Sequence, residues 1–456
     1  MAILRAQRPS WLTRPLLMVV LLTIGAGLAQ FSVTTVIGDV AAHFGEQAHG
    51  DDLASELGMP ATTIGLSLAI IRLSSLGALP VTALADRLGR RRMLLTAASA
   101  GLGLTALAAL APAYWVYVAL VAAARVGLST INNLNGVIVA EEVASQHRAW
   151  GLSLLAVAFG IGSGTVAVTR GVLPGDPSFR VVTAFALVPL LALPLLARSI
   201  REPRIATEAV ADEGIPGRVP KGWRLRVLTL ALLTGALSVA SGPAFTFLFV
   251  YGERVVGATP GQMSLLILAS GPTGLLGVLA GRYGADRLGR RLTAAIAMAV
   301  TGTAVFVGYS GGLAALAAGY LLTLAGAGAF SSPFGSLVAE LVPTRARATT
   351  AGWMMVAGVL GGVGGLAAFG ALADATGTFA TAARLLGLGS AVVCVGFALV
   401  PETRGMELDD EVPGRPRHGH AARLAHGTST PDEASPAGDT STTDEDAPPD
   451  GDATGR

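Results

Sequence analysis

The chain has 456 residues, of which 52% are hydrophobic and only 14% charged; it carries 59 glycines, and its mean hydropathy is +0.60. Soluble globular proteins carry about a quarter charged residues, so this balance points to packed membrane helices, and a net charge of +2 argues against nucleic acid as a partner. The single cysteine, Cys394, excludes an intramolecular disulfide and any paired-thiolate metal site.

Arg5, Arg8 and Arg14 precede the first apolar run, as in a signal peptide, but many further runs follow. The economical expectation is an uncleaved first helix. A transmembrane helix needs about 20 mostly apolar residues. Runs of that kind fall near 15–38, 61–82, 93–111, 114–138, 150–173 and 180–198. They resume near 226–250, 263–283, 292–309, 313–337, 349–373 and 380–400. Backbone polar groups cannot stay unpaired in lipid, so the runs are helices. The expected class is an all-α integral membrane protein of twelve spans. None of His43, His49, His147, His418, His420 and His426 falls inside a run, so no metal centre is expected.

Arginine and lysine concentrate in alternate loops: 87–92, 147–148, 198–204 with 221–226, 287–291 and 345–347. The other loops hold only isolated Arg170, Arg180, Arg254 and Arg384. By the positive-inside rule the basic set is cytoplasmic, and an even number of spans puts both termini inside a multi-pass cell-membrane protein. Residues 1–14 then form a cytoplasmic N-terminus, 15–198 one six-helix bundle, 199–225 a cytoplasmic linker and 226–400 a second bundle. Residues 401–456, rich in Pro, Gly, Ser, Thr, Asp and Glu, have the composition of a disordered cytoplasmic tail.

The two bundles repeat one another. The heptapeptide ADRLGRR stands at Ala85–Arg91 and again at Ala285–Arg291. Glu141 precedes Arg148, and Glu340 precedes Arg347, by the same spacing and at nearly the same offset between halves. Gly89 and Gly289 permit the tight turn of a short loop, and the arginines can hold carboxylates bidentately. Positive-inside anchoring explains the arginines but not the matched acids. Six spans per half make this a parallel repeat, the arrangement that alternating access around a midplane site requires.

Over roughly residues 15–405 the chain resembles the major facilitator superfamily. The D-R-x-G-R-R loops, the Glu-x6-Arg loops and the closing PETRG at Pro401–Gly405 are similar to the sugar porter and metabolite:proton symporter branch. The resemblance implies a cofactor-free secondary transporter, a monomer in the lipid bilayer that carries a small-molecule solute. It also implies cytoplasmic ion-pair clusters that close the bundles on the inside. Asp86, Arg87, Arg90, Arg91, Glu141 and Arg148 would form one cluster, and Asp286, Arg287, Arg290, Arg291, Glu340 and Arg347 its mate. The glycine that often stands four residues before the aspartate is replaced by Thr82 and Arg282.

Where a solute would bind, the halves differ. Arg72 and Arg125 stand mid-span, while Pro272 and Leu324 occupy the corresponding positions of the second half. An arginine inside a bilayer costs about 2.5–3.5 kcal/mol even on the lenient insertion scale. Each therefore either faces a solute or braces the bundle against a carbonyl or carboxylate. Arg125, Ser129, Asn132 and Gly136 form one stripe on a helix. Gln30 with Thr34 makes a smaller stripe, and Ser238, Ser241, Phe245 and Phe249 share a face of the seventh span. Sugar-contacting positions of the resembled branch are not kept: Ala244 follows Ser241-Gly242 at the expected asparagine, and Gly335 stands at the expected tryptophan. Buried arginines without mid-membrane acids favour an anionic solute such as an organic acid.

Coupling to a proton is implied by the resemblance alone. The first-span aspartate of proton-coupled sugar porters is Val33 here, which leaves Asp39 as the candidate. The Gly-Pro drug-antiporter motif is missing from the fifth span, where Gly160 and Gly164 suggest close packing, as do Gly358 and Gly362 in the eleventh. Uptake is thus expected, with multidrug or metabolite efflux, facilitative uniport and a non-transporting sensor as alternatives. The sole lysine, Lys221, lies in no phosphate-binding loop, and no catalytic set lies in the spans, so neither a nucleotide-driven pump nor an enzyme is expected.

Overall fold

An apolar chain in lipid must satisfy its backbone locally, and every regular element among the described residues is a helix. The structure, a computed structural model, describes residues 14–45, 53–143, 147–172, 178–198, 221–342 and 346–403. The expected N-terminal segment, nearly all of the linker and the tail beyond residue 403 lie outside the described residues.

The first half contains α1 (Arg14–Phe44), a single turn α2 (Leu53–Leu57), α3 (Ala61–Ser74), α4 (Ala78–Leu88) and α5 (Arg90–Ala108). It continues with α6 (Tyr114–Glu142), α7 (Arg148–Val172), α8 (Phe179–Ala184) and α9 (Leu187–Ala197). The second half contains α10 (Arg224–Thr246), α11 (Pro260–Leu288), α12 (Arg290–Gly308), α13 (Leu313–Glu340), α14 (Arg347–Thr376) and α15 (Phe379–Val393). Among the described residues ten helices are long and apolar enough to cross a membrane; α5, which opens on three arginines, and the shorter Phe179–Leu195 stretch occupy the third and sixth places in the order. Leu110, Leu191, Leu225 and Leu399 are each more than 70% exposed, as side chains facing lipid would be.

Three elements depart from the expected runs. The first helix continues past residue 38 to Phe44, which brings His43 onto a helix, its ring packed against Phe44 and Phe179. The second span changes to a 3₁₀ turn at Ser75–Gly77 before α4 resumes. After α10, which contains Pro243, the chain passes into a π-helical stretch, Val250–Val255. Such stretches re-aim side chains and gather at functional positions; this one carries Glu253 and Arg254.

The repeat extends to the packing. Helix α1 packs on α7 as α10 packs on α14, and α5 packs on α6 as α12 packs on α13. The halves meet along α3 with α14 and along α7 with α11, again a matched pair. Glycine makes the first seam close: a side chain at Gly65 would overlap the Leu366 carbonyl, and one at Gly370 would overlap that of Ala61.

Candidate functional site

The repeated heptapeptides sit at matched turns. Gly89 joins α4 to α5 with φ 94°, and Gly289 joins α11 to α12 with φ 95°, a conformation that L side chains resist. Arg90 pairs with Glu141, and Arg290 Nε lies 2.9 Å from Glu340. Both pairs stay within one half, so they tie each heptapeptide to its own Glu-x6-Arg loop. Arg91 donates to the Ala197 carbonyl at 2.9 Å, Arg291 to that of Val400 at 3.4 Å, and Arg347 to that of Ala339 at 2.8 Å. Glu402 of the PETRG segment accepts the backbone N–H groups of Arg290 and Arg291 at 2.8 and 3.0 Å, capping α12. Arg287 lies 4.2 Å over the Tyr283 ring, and Arg87 is exposed. The Asp86 and Arg148 side chains lie outside the described residues, and Asp286 lies one residue before Arg287 near the end of α11.

Ion pairs that cross between halves lie at the opposite ends of the helices. Asp39 of α1 accepts from Arg170 of α7 at 2.6 Å and from Arg254 of the second half at 2.7 Å. Arg170, 5% exposed, also donates to Glu253 at 2.7 Å and to the Thr35 carbonyl, and it stands 5.9 Å over the Phe249 ring. Burial pushes the Glu253 carboxyl up to about 7, against the opposing pull of the Arg170 charge. Beside this cluster, Asp374 of α14 accepts the N–H groups of Ala61 and Thr62, both at 2.8 Å, and so caps α3 across the seam. Asp39, the coupling candidate, is therefore seated in a cross-half lock.

Between these two faces lies a cavity of about 70 Å³. Gln30 and Thr34 reach it from α1, Arg72 from α3, Arg125 from α6, Thr246 from α10 and Leu366 from α14. No acidic side chain lines it. The Nε atoms of Arg72 and Arg125 and the Nε2 of Gln30 are buried with no hydrogen-bond partner among the described residues. Arg72 extends to the second half, where a side chain at Gly362 would overlap its guanidinium.

Other expected site residues stand elsewhere. Asn132 faces a second cavity, of about 310 Å³, with Thr23, Leu155 and Phe159, farther along α6 toward the heptapeptide face. Ser129 is half-buried on the same helix between the two cavities. Ser241 donates to the Leu237 carbonyl at 2.9 Å, Ser238 lies by Gly358, and the Phe245 ring meets Tyr320 edge-on at 6.0 Å. The second half offers the first cavity Thr246 instead, one residue and so about 100° around the helix from Phe245.

The sequence matches the Major Facilitator Superfamily over residues 19–366. No curated protein matches it. Among solved structures, the inward-open xylose transporter XylE from E. coli is similar with a TM-score of 0.66 at 16% identity, over 86% of this chain and 97% of that one. A D-xylose-proton symporter matches with a TM-score of 0.65 at 18% identity, over 87% and 99% of the two chains. A bacterial homologue of the human lysosomal transporter Spinster, inward-facing and occupied, matches with 0.65 at 14% identity, over 84% and 96%. At these identities the likeness is one of fold.

Proposed function

The chain belongs to the major facilitator superfamily and is a secondary transporter rather than an enzyme, and on that premise we propose that its solute is a small organic anion, imported across the cell membrane by alternating access. The observation that carries this reading is the pair of arginines in one acid-free cavity, each with a buried Nε that has no hydrogen-bond partner among the described residues. A buried charge left without a counter-charge costs several kcal/mol, and an anionic solute supplies the counter-charge during each cycle.

The distribution of arginine supports a cytoplasmic heptapeptide face. On that assignment the Asp39–Arg170–Glu253 cluster closes the outside, and Arg125, Ser129 and Asn132 line a path from the site to the cytoplasm. The intra-half pairs Arg90–Glu141 and Arg290–Glu340 then brace the turns that would meet when the inside closes. A proton is the coupling ion of this reading, with Asp39 and Glu253, the acids that pair with arginines of the other half, as its candidate carriers.

Uptake of radiolabelled mono- and dicarboxylates and of sugars into proteoliposomes, with and without a pH gradient, tests the reading. Acid accumulation that Arg125→Ala abolishes is the expected result. Sugar accumulation without acid uptake, or an Arg125→Ala variant with unchanged rate and affinity, overturns it. Acid uptake indifferent to the gradient replaces symport with uniport.

A further inference from the structure

Arginine keeps its proton in proteins, so each guanidinium is a permanent positive charge. Arg72 and Arg125 line one cavity, and neither takes part in the ion pairs described in the protein. The other polar groups of the lining, Gln30, Thr34, Thr105 and Thr246, are neutral. The acids of the outer cluster lend nothing, because Asp39 and Glu253 are already held by Arg170 and Arg254. The site therefore carries two uncompensated positive charges.

We propose that this site takes a small organic dianion, one negative charge set against each guanidinium. The assignment rests on the anion reading above and sharpens it. A neutral sugar would leave both charges buried without compensation, and a monoanion would leave one. Each guanidinium presents a planar fork of N–H donors that fits paired carboxylate or phosphoryl oxygens, and the free Gln30 Nε2 adds a neutral donor beside them. Two ligand shapes meet this count: a short chain with a carboxylate at each end, or one phosphoryl group shared between the two arginines. Because Arg72 lies against Gly362 of α14, a dianion held by both arginines is bound at the seam between the halves. That is where a solute must act to bias one half against the other.

Thermal unfolding of the purified full-length protein in detergent tests the charge count, since a ligand that binds the folded state raises Tm with concentration. The probes are succinate, inorganic phosphate, propionate and xylose, at mildly alkaline pH where the first two are dianions. One lost charge-assisted pair is worth about tenfold in affinity or more. Succinate or phosphate should therefore stabilise at concentrations about tenfold below propionate or lower, with no effect of xylose. Stabilisation by succinate alone identifies separated carboxylates, and by phosphate alone a compact phosphoryl group. Propionate equal to both dianions overturns the dianion while leaving the anion reading intact. Stabilisation by xylose alone overturns both, and no stabilisation by either dianion overturns the proposal. Arg125→Gln and Arg72→Gln each remove one charge and should turn the preference toward propionate, a change that mere loss of packing would not produce. Retention of dianion preference in both variants overturns the count.

Discussion

Arg170 and Glu253 meet at 2.7 Å although 83 residues separate them and each belongs to a different half of the repeat. Asp39 and Arg254 make the second crossing contact, at 2.7 Å, while Arg170 keeps Asp39 within its own half. Replacing Arg170 by glutamine leaves two carboxylates facing each other across the halves. Stranding one member of a buried pair costs about 3–5 kcal/mol. Arg170→Gln should accordingly shift the population toward forms open on that face. Spin labels on exposed Ala113 and Ala375, in a Cys394→Ser background, should report a longer distance. An unchanged distance distribution would show that the cluster does not hold the face shut.

The same cluster gives the closure a pH dependence whose sign follows from Glu253. In the closed form burial holds its carboxyl at about 7; opening exposes it to water, where a glutamate titrates near about 4.3. The closed form thus binds the proton more tightly. Its added stability is present in full below the open-form value and is lost as pH rises through about 7. Between mildly acidic and mildly alkaline pH the label distance should lengthen, and Glu253→Gln should flatten the response at its acidic level. A shortening with rising pH would contradict the assignment. The charged groups around Glu253 are Arg170 of α7, Asp39 of α1 and its chain neighbour Arg254. Of these, Arg170 supplies the direct contact.

Asp374 holds the seam between α3 and α14 by a different means. It accepts two N–H groups at the start of α3, both at 2.8 Å, where a helix N-terminus favours negative charge. Asp374→Asn keeps an acceptor but loses the charge, and should weaken closure by about 0.3–1 kcal/mol. Asp374→Leu should weaken it further. Both effects are read from the same label pair, and a shift with Asn as large as with Leu would deny the charge any part.

The helices, the repeat and the arginine-marked turns are legible in the sequence because each has a one-dimensional signature: run length, identity at a fixed offset, and a glycine where φ must be positive. Arg72, Arg125, Gln30 and Thr34 could be picked out because a polar group inside an apolar run is conspicuous. The cluster that crosses between the halves is not legible in this way. Asp39, Arg170, Glu253 and Arg254 look like scattered loop charges, and only the packing of α1, α7 and the π-helical stretch makes them neighbours. Along α10 the structure differs from the helical stripe for a related reason. Ser238, Ser241 and Phe245 follow a helical period, but Pro243 lies among them, and the cavity receives Thr246. Asp39 illustrates the limit of one-dimensional reading most directly. Its position at the end of the first run suggests a solvated acid, yet it is bound by two arginines from different halves.

Gly358 and Gly362 appear equivalent in the sequence, and the structure separates them. A Cβ at Gly358 would rest at an ordinary 3.5 Å from Ser238 Oγ and Thr234 Cγ2. At Gly362 it would intrude on the Arg72 guanidinium, whose Nε has no hydrogen bond to hold it in compensation. Gly364, on the same helix, has open space. One methyl group at 362 should therefore displace Arg72 from the cavity, whereas methyl groups at 358 and 364 are absorbed. Displacing one of two charge-assisted partners costs about 1.5–3 kcal/mol. Gly362→Ala should raise the KM for the proposed anionic solute about tenfold or more, with expression and Tm close to wild type. Gly358→Ala and Gly364→Ala should leave KM unchanged. Retaining glycine at 362 while changing Arg72 to lysine separates charge from shape: the compact ammonium keeps the charge but loses the planar fork. That variant should transport the anion with an intermediate KM. If Gly362→Ala transports normally, Arg72 has room to move away from α14, and its contact with the second half has no part in holding the solute.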